Sequence, residues 1–429
     1  MNRIELSAAR AFKGEFSPPP DKSISHRAVI FSSVAKGRSV IKNFLRAEDS
    51  ISTVNALRTL DIDIKDTGDE IIVDGRGING LREPDRVIDC GNSGTTMRLL
   101  SGVLSGNPFL SVLTGDESLR QRPMSRVIVP LRQMGAEIMA RGDDRYPPVA
   151  IRGKRLQAIK YTMPVASAQV KSAILLAGLY ASGVTEVTEP FQSRDHTERM
   201  LPAFGAEVRI ENLSLTIRGG TELHCLEITV PGDFSSAAFF LVGALMLKDS
   251  EIVVRGVGIN PTRIGLLSVL KEMGAEIEIS NEKIISGEPV ADIYCKGGKE
   301  LRAVHITPEK IPLLIDEFPI LCVAATQAAG TTVIRGAEEL RVKESDRISA
   351  IVTELRRMGA EIEEYKDGLD ISGGKSLKGT VVESYNDHRI AMAMAIAAMI
   401  AKGKTIINNI SSVDISFPTF FEILNRLTI

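Results

Sequence analysis

The chain has 429 residues, a formal net charge of −2 at pH 7, and 44% hydrophobic and 25% charged residues. This length is too great for one hydrophobic core and fits two domains of roughly 200 residues each. The near-neutral charge provides no global field that would recruit nucleic acid or an anionic membrane, so any anion site must be built locally.

Cysteines and apolar runs restrict the class of protein further. Cys90, Cys225, Cys295 and Cys322 are far apart and form no CxxC pair, which argues against a disulfide framework or a zinc site and suits reduced thiols in a cytosol. The N-terminal residues lack the apolar core of a signal peptide, and the apolar run at 390–401 is too short to span a bilayer. We expect a cytoplasmic protein without a membrane or nucleic-acid partner.

Six stretches in chain order share one pattern: a polar opener, an apolar helix-like run, a turn and a β-rich strand. They cover residues 22–43, 92–113, 167–188, 233–254, 316–336 and 386–408. A second series runs in step with them and comprises LRTLDIDI (57–64), LRQMGAEI (131–138), LPAFGAEV (201–208), LKEMGAEI (270–277) and LRRMGAEI (355–362). We interpret LNRLTI (424–429) as a sixth copy cut short. The chain is therefore tiled by six repeats.

Together the two series predict a βαβαββ unit. The runs at 170–181 and 390–401 are apolar nearly all round, which is typical of fully buried helices. We therefore predict a two-domain inside-out α/β barrel with three repeats per domain, helices buried and sheets outside. The first domain is expected at 20–231, and the second at 1–19 and 232–429, with the first 19 residues supplying a strand.

Each opener is polar at the start of a buried helix, where unpaired N–H groups and the positive end of the helix dipole favour an anion. If the three helices of each domain point their N-termini at one interface, a cleft between the domains would bind a highly anionic ligand pair. The openers and nearby loops carry phosphate-type ligands: Lys22, Ser23, Arg27, Asn92, Ser93, Thr95, Arg120, Arg122, Ser167, Gln169, Lys171, Arg194, Lys343, Arg347, His388 and Arg389. Singly, each arginine could be a surface or ion-pair residue; their recurrence at matched places favours binding of phosphate or carboxylate.

Two carboxylates stand out beside these cations. Asp316 starts an opener, and Glu344 lies in the run Lys-Glu-Ser-Asp-Arg. Each could be a helix cap, a salt-bridge partner or a proton carrier. The five histidines show no metal-ligand spacing, so we predict no metal site.

Eight motifs occur in order and in the repeat frame: DKSISHR (21–27), GNSGTTMR (91–98), RQRP (120–123), ASAQVKSA (166–173), SRDHTE (193–198), DEFP (316–319), KESDR (343–347) and NDHRIAM (386–392). Over the whole chain they resemble the EPSP synthase family, the 3-phosphoshikimate 1-carboxyvinyltransferases. Ser93, Leu99 and Ala168 depart from the enterobacterial and plant pattern and suit the second, divergent class of that family.

The resemblance implies a reaction and its residues. The enolpyruvyl group of phosphoenolpyruvate moves to the 5-hydroxyl of shikimate 3-phosphate, in the pathway to chorismate and the aromatic amino acids, and no cofactor is needed. It implies that shikimate 3-phosphate is held by Lys22, Ser23, Arg27, Ser167, Gln169, Arg194, Asp316 and Lys343. It implies that phosphoenolpyruvate is held by Lys22, Gly94, Arg122, Gln169, Arg347 and Arg389. Asp316 would take the 5-hydroxyl proton, while Glu344 and Lys22 would manage protons at the methylene carbon and the leaving phosphate.

Two alternatives remain at this point. One is the sister enzyme that transfers the same group to UDP-N-acetylglucosamine; its reactive loop usually carries a cysteine, and the loop at 114–123 has none. The other is a non-enzymatic six-repeat DNA clamp, which would spread Lys and Arg along inner helices, whereas here the inner helices are apolar. We expect a monomer whose partners are the two small-molecule substrates.

Overall fold

A computed structural model describes residues 2–429. The chain forms two compact units. The N-terminal unit consists of Pro20–Val230 and the short segment Ile285–Glu288. The C-terminal unit consists of the residues before Pro20, of Pro231–Ile284 and of Pro289–Ile429. The predicted boundary after residue 231 differs by one residue from the observed one after Val230, and the segment at 285–288 is not part of the predicted division.

The strands of the N-terminal unit form three sheets of four strands each. In spatial order, these are Glu227–Thr229, Lys36–Lys42, Glu70–Arg76 and Asp63–Asp66; Ile88–Asp89, Leu110–Thr114, Tyr146–Arg152 and Glu137–Ala140; and Lys160–Thr162, Val184–Thr188, Ser214–Arg218 and Val208–Glu211. In every sheet the first two strands are parallel and the other neighbours are antiparallel. This shared order is the structural form of the repeat.

The C-terminal unit has two sheets of four strands and one of three. They are Glu276–Ile285, Glu288–Lys296, Glu251–Gly258 and Lys13–Phe16; His305–Ile306, Thr331–Ile334, Gly368–Ser372 and Glu361–Tyr365; and Arg3–Ser7, Lys404–Asn408 and Val381–Glu383. Among the described residues the strands form six separate sheets, three in each unit, which confirms the predicted three repeats per domain.

Twelve helices occupy matched places in the six repeats of the described chain. The first of each pair, which we name the core helices, are Lys22–Val34, Gly94–Ser105, Ala168–Gly178, Phe234–Met246, Phe318–Gln327 and His388–Ile400. The second of each pair are Glu48–Thr59, Ser125–Gln133, His196–Met200, Gly265–Glu272, Arg347–Arg357 and Phe420–Leu427. A further short helix covers Ile311–Leu314.

Burial of the core helices confirms the prediction made from their composition. Every residue from His388 to Met399 is buried, as is every residue from Val170 to Gly178. Each unit has its own hydrophobic core around its three core helices. The strands beside them alternate between buried and more exposed positions, as in Glu70–Arg76, because one face of each sheet packs on the helices. No helix among residues 2–429 combines the length and apolarity needed to cross a membrane.

Glycine is required at the turn after the second helix of the repeat. Gly135, Gly205, Gly274 and Gly359 have φ values of +108°, +97°, +94° and +92°, where a Cβ atom is unfavourable. In the first repeat Asp61 takes this place with φ +65°, and Asp is among the few side chains that tolerate that region.

The first 19 residues differ from the expectation of one strand. They supply two strands, Arg3–Ser7 and Lys13–Phe16, which join two different sheets. Phe16 packs its ring 4.8 Å from that of Phe240 on a core helix, and Phe420 of the last helix lies 5.3 Å from the same ring. The two ends of the chain are thus anchored on one aromatic cluster of the C-terminal unit.

Candidate functional site

The three core helices of the N-terminal unit begin with capped, polar turns. Asp21, Ser93 and Ser167 each accept a hydrogen bond from the backbone N–H group three residues later, at 2.8, 3.1 and 3.5 Å. A cap of this kind stabilises a helix by about 1 kcal/mol. None of the three helices carries an acidic residue in its first turn. The carboxylate of the cap Asp21 offsets the positive end of the first helix dipole, whereas the second and third helices are capped by neutral serines.

Side chains in these first turns bond to one another. Gln169 Nε2 donates to Thr95 Oγ1 at 2.9 Å, and Arg98 donates to Gln169 Oε1. Arg27 Nη2 donates to Ser172 Oγ at 2.8 Å. The three helix N-termini of this unit therefore lie side by side, and we call their polar residues the N-terminal cluster.

Arg27 is the buried centre of this cluster, with 2% of its surface exposed. Besides Ser172, it donates to Thr197 Oγ1 at 2.8 Å and to the carbonyl oxygen of Ser23 at 3.0 Å. All three acceptors are neutral. Burial lowers the pKa of Arg27 to about 10, although Glu198 and Asp21 act in the opposite direction and Arg194 adds to the lowering. The guanidinium thus keeps its charge at neutral pH.

Lys22, Ser23 and Arg194 are partly exposed around Arg27. Lys22 Nζ lies 3.1 Å from Asp49 Oδ2, with 15% and 8% of the side chains exposed. Arg194 lies three residues before Thr197, which accepts a hydrogen bond from Arg27, and the positive charge of Arg194 adds to the lowering of the pKa of Arg27. Two neighbouring cations of this kind attract a phosphate group.

Gly94 lies against two further guanidinium groups. A Cβ atom at position 94 would lie 2.9 Å from Arg98 Nη1 and 3.5 Å from Arg122 Nη1. Arg122 is 6% exposed and donates to the carbonyl oxygen of Asn92 at 3.1 Å and to Asn92 Oδ1 at 2.6 Å. Because the glycine has no Cβ atom, these two guanidinium groups can approach the start of a helix closely, and cations at a helix N-terminus are suited to an anion.

Lys171, singled out in the sequence as a phosphate-type ligand, has a different role. Its Nζ lies 2.6 Å from both Glu189 Oε1 and Glu198 Oε1, and all three side chains are 3% exposed or less. This buried ion cluster supports the segment that carries Arg194 and Thr197. Removing one member would leave an uncompensated buried charge.

Arg347 is the centre of a second set of residues, which we call the C-terminal cluster. Only 1% of its side chain is exposed. It donates from Nε to Asp387 Oδ2 at 2.9 Å, from Nη1 to Asp316 Oδ1 at 3.3 Å, and from Nη2 to Glu344 Oε2 at 2.6 Å. Burial by itself would lower the pKa of Arg347, but the charges of Asp387, Glu344 and Asp316 outweigh it and raise this pKa above its ordinary value.

Asp316 is surrounded by three arginines. Its carboxylate lies 3.3 Å from Arg347, 3.2 Å from Arg389 and 4.0 Å from Arg263. It does not cap a helix, because the residue at the N-cap of Phe318–Gln327 is Glu317. Of the roles left open by the sequence, the cap is wrong and the salt-bridge partner is confirmed. With 18% of its side chain exposed, Asp316 remains open to a proton-accepting contact.

Lys343 lies next to Glu344 at the edge of this cluster. Desolvation lowers the pKa of Lys343 below its ordinary value of 10.5; Asp316 opposes this shift and Arg347 adds to it. A lysine with a lowered pKa beside two carboxylates is suited to proton transfer or to contact with an anion.

The structure distributes the predicted site residues over the two clusters. The N-terminal cluster contains Lys22, Ser23, Arg27, Gly94, Arg122, Ser167, Gln169 and Arg194, and the C-terminal cluster contains Asp316, Lys343, Glu344, Arg347 and Arg389.

Sequence reasoning missed three members of the clusters. Arg98 ends the motif GNSGTTMR and Asp387 lies in NDHRIAM, but neither motif by itself predicts a role for them. Arg263 Nη2 donates to Asp233 Oδ1 at 2.8 Å, and its Nη1 lies 4.0 Å from Asp316. Arg263 lies in a loop outside both repeat series, so no pattern in the sequence indicated it.

Comparison with known proteins gives a consistent result. The family model described as EPSP synthase (3-phosphoshikimate 1-carboxyvinyltransferase) matches residues 6–424. Proteins with the latter name from Thermodesulfovibrio yellowstonii and Syntrophomonas wolfei are 56% and 54% identical over 429 residues, covering 100% of each chain. A solved EPSP synthase from Acinetobacter baumannii superposes with a TM-score of 0.88 at 47% identity, covering 100% of this chain and 98% of that one.

Proposed function

The chain belongs to the EPSP synthase family, and from this premise we propose how its two clusters divide the work of one reaction. The reaction transfers the enolpyruvyl group of phosphoenolpyruvate to the 5-hydroxyl of shikimate 3-phosphate and releases phosphate. The family match over residues 6–424 is the observation that carries this function. It decides against a non-enzymatic clamp and favours shikimate 3-phosphate over a nucleotide sugar as acceptor.

The N-terminal cluster supplies the proposed anion contacts. Shikimate 3-phosphate is held through Lys22, Ser23, Arg27, Ser167, Gln169 and Arg194, with Asp316 and Lys343 completing its contacts. Support comes from the adjacency of Arg27 and Arg194 and from the neutral acceptors of Arg27, which leave its positive charge uncompensated by a bonded carboxylate.

Phosphoenolpyruvate is assigned to Lys22, Gly94, Arg122, Gln169, Arg347 and Arg389. The close approach of Arg98 and Arg122 to Gly94 at the start of a helix supports this assignment. Arginine groups here would offset the repulsion between two phosphorylated substrates and stabilise charge that develops in the tetrahedral intermediate.

The C-terminal cluster, together with Lys22, supplies the proposed proton transfers. The methylene carbon of phosphoenolpyruvate must gain a proton while the 5-hydroxyl loses one, so an acid and a base are needed at different atoms. Asp316 is the proposed base for the hydroxyl, and Glu344 and Lys22 are the proposed proton carriers at the methylene carbon and the leaving phosphate. The bonds of Asp316 and Glu344 to Arg347 support these assignments because they hold both carboxylates in place.

The proposal also includes a monomeric, cytoplasmic enzyme without a nucleic-acid partner. All four cysteines are free thiols, which suits a reducing compartment. Sedimentation of the purified protein tests its monomeric state.

The test of function is phosphate release from phosphoenolpyruvate, measured in chelator with shikimate 3-phosphate and, in parallel, with UDP-N-acetylglucosamine as acceptor. We expect release that depends on shikimate 3-phosphate. Release with the nucleotide sugar alone would overturn the acceptor, and release with neither acceptor would overturn the proposed chemistry.

A further inference from the structure

One short helical turn, His196–Met200, bonds to three other segments of the N-terminal unit. Three consecutive buried side chains of this turn bond to different segments. Thr197 accepts the hydrogen bond of Arg27 Nε at 2.8 Å, and Glu198 pairs with Lys171. His196 Nδ1 lies 2.7 Å from Glu288 Oε1. The position of Thr197, and with it that of Arg27, therefore depends on what holds this turn.

Glu288 reaches this turn from outside the repeats that supply the rest of the cluster. It ends the segment Ile285–Glu288, which belongs to the N-terminal unit although the strands on either side of it lie in a sheet of the C-terminal unit. Glu288 and His196 are each 2% exposed. Within the same segment, Ser286 Oγ accepts a hydrogen bond from the backbone N–H group of Thr229 at 2.9 Å.

The chemistry of the His196–Glu288 contact defines its direction. A carboxylate oxygen only accepts, so Nδ1 of His196 carries the hydrogen and donates it to Glu288. Hydrogen bonds to a charged acceptor are about twice as strong as neutral ones, and this bond orients the imidazole at the start of the turn. The carboxylate also acts through space on Arg27, since its charge raises the pKa of that guanidinium against the effect of burial.

We propose that Glu288 is a positioning residue for the phosphate of shikimate 3-phosphate. Through His196 it holds the turn in which Thr197 binds Arg27, and Arg194 lies just before this turn. This inference rests on the proposed role of Arg27 and Arg194 in binding that substrate. Glu288 itself touches no reacting atom. Its loss alters the binding of one substrate rather than the chemical step.

The experiment measures steady-state kinetics of Glu288→Ala and Glu288→Gln with each substrate varied in turn. We expect Glu288→Ala to raise the KM for shikimate 3-phosphate about tenfold, with kcat and the KM for phosphoenolpyruvate changed by less than about twofold. Glu288→Gln keeps an oxygen that accepts from His196 Nδ1, so it should recover most of the loss, to within about threefold of wild type. If Glu288→Ala does not fold, Glu288→Gln and His196→Gln replace it in the same comparison.

Ser286→Ala is the matched control, because it removes another side-chain contact of the same segment, to the Thr229 N–H group, and leaves His196–Glu288 intact. We expect wild-type KM values from it. Suppose that the wild type is active. If the Glu288 variants then keep the wild-type KM for shikimate 3-phosphate, or change kcat and both KM values alike, this inference alone is overturned. A wild type without turnover on shikimate 3-phosphate would instead overturn the proposed function.

Discussion

Arg27, within the core helix Lys22–Val34, and Arg347, at the start of the second helix Arg347–Arg357, are both buried, yet their charges are compensated in opposite ways. Arg27 bonds to two hydroxyl groups and a carbonyl oxygen, and burial lowers its pKa. Arg347 bonds to three carboxylates, and its pKa is raised. A buried cation without a carboxylate costs several kcal/mol, which an anionic ligand can offset. The difference therefore distinguishes a cluster suited to the phosphate of shikimate 3-phosphate from one whose central arginine also orients the proposed proton carriers.

The largest effect is expected from Asp316→Asn. Because Asn cannot accept the 5-hydroxyl proton as a carboxylate does, kcat should fall by about 10²–10⁴-fold. Rapid-quench or steady-state phosphate release measures this loss. Asp370→Asn is the control, because it removes a carboxylate paired with Arg335 in the same unit, and it should keep the wild-type kcat. Full turnover by Asp316→Asn would contradict the assignment of Asp316 as the base.

Asp387→Asn tests whether the charge of Arg347 is compensated as described. Asn still caps the helix that Asp387 begins, so the loss comes from the missing charge next to Arg347. We expect the free energy of unfolding to fall by about 3–5 kcal/mol, measured by urea denaturation. Thr197→Val, which removes a neutral acceptor of Arg27, should cost about 1–3 kcal/mol. An equal loss in both variants would contradict the contrast between the two arginines.

His26 makes the stability of the N-terminal unit depend on pH. Burial lowers the pKa of His26 well below 6.5, and Lys22 and Arg27 lower it further. Below about pH 6.5 this residue therefore takes up a proton in the unfolded chain but not in the folded chain. Stability should therefore fall with pH, by about 1.4 kcal/mol between about pH 7.5 and about pH 5.5 from this group. His26→Gln should remove that part of the slope in urea denaturation, and an unchanged slope would contradict the account.

The smallest effect is expected at a helix cap. Ser93→Ala removes the acceptor of the Thr96 N–H group and should lower the free energy of unfolding by about 1 kcal/mol. Ser93→Thr retains a cap and should lose only about 0.5 kcal/mol. Thermal denaturation of the two variants side by side measures the difference, and equal losses would show that the cap contributes nothing.

Much of the fold could be predicted because its signals are local and repeated. The glycine turns at 135, 205, 274 and 359 and the apolar core helices depend on neighbouring residues, so their periodicity is visible in the sequence. The pairing of Arg3–Ser7 with Lys404–Asn408 joins the two ends of the chain, and no local pattern encodes such a register.

The same distinction holds for the clusters. Lys22, Arg27, Gly94 and Arg389 lie at helix N-termini in recurring motifs, so the sequence indicated them. Arg263 and Glu288 come from a loop and a strand end that no repeat unit predicts. Lys171 was predicted as a phosphate-type ligand because its spacing fits, but the two buried glutamates that bind it are brought there by the tertiary fold.

Calorimetric titration of shikimate 3-phosphate into wild type, Arg194→Gln and Asp316→Asn tests the division between the two clusters most directly. The account predicts that Arg194→Gln weakens binding by about tenfold or more, while Asp316→Asn binds within about threefold of wild type despite its lost turnover. Weaker binding by Asp316→Asn with unchanged binding by Arg194→Gln would contradict the account, because the anion site would then lie with the carboxylates.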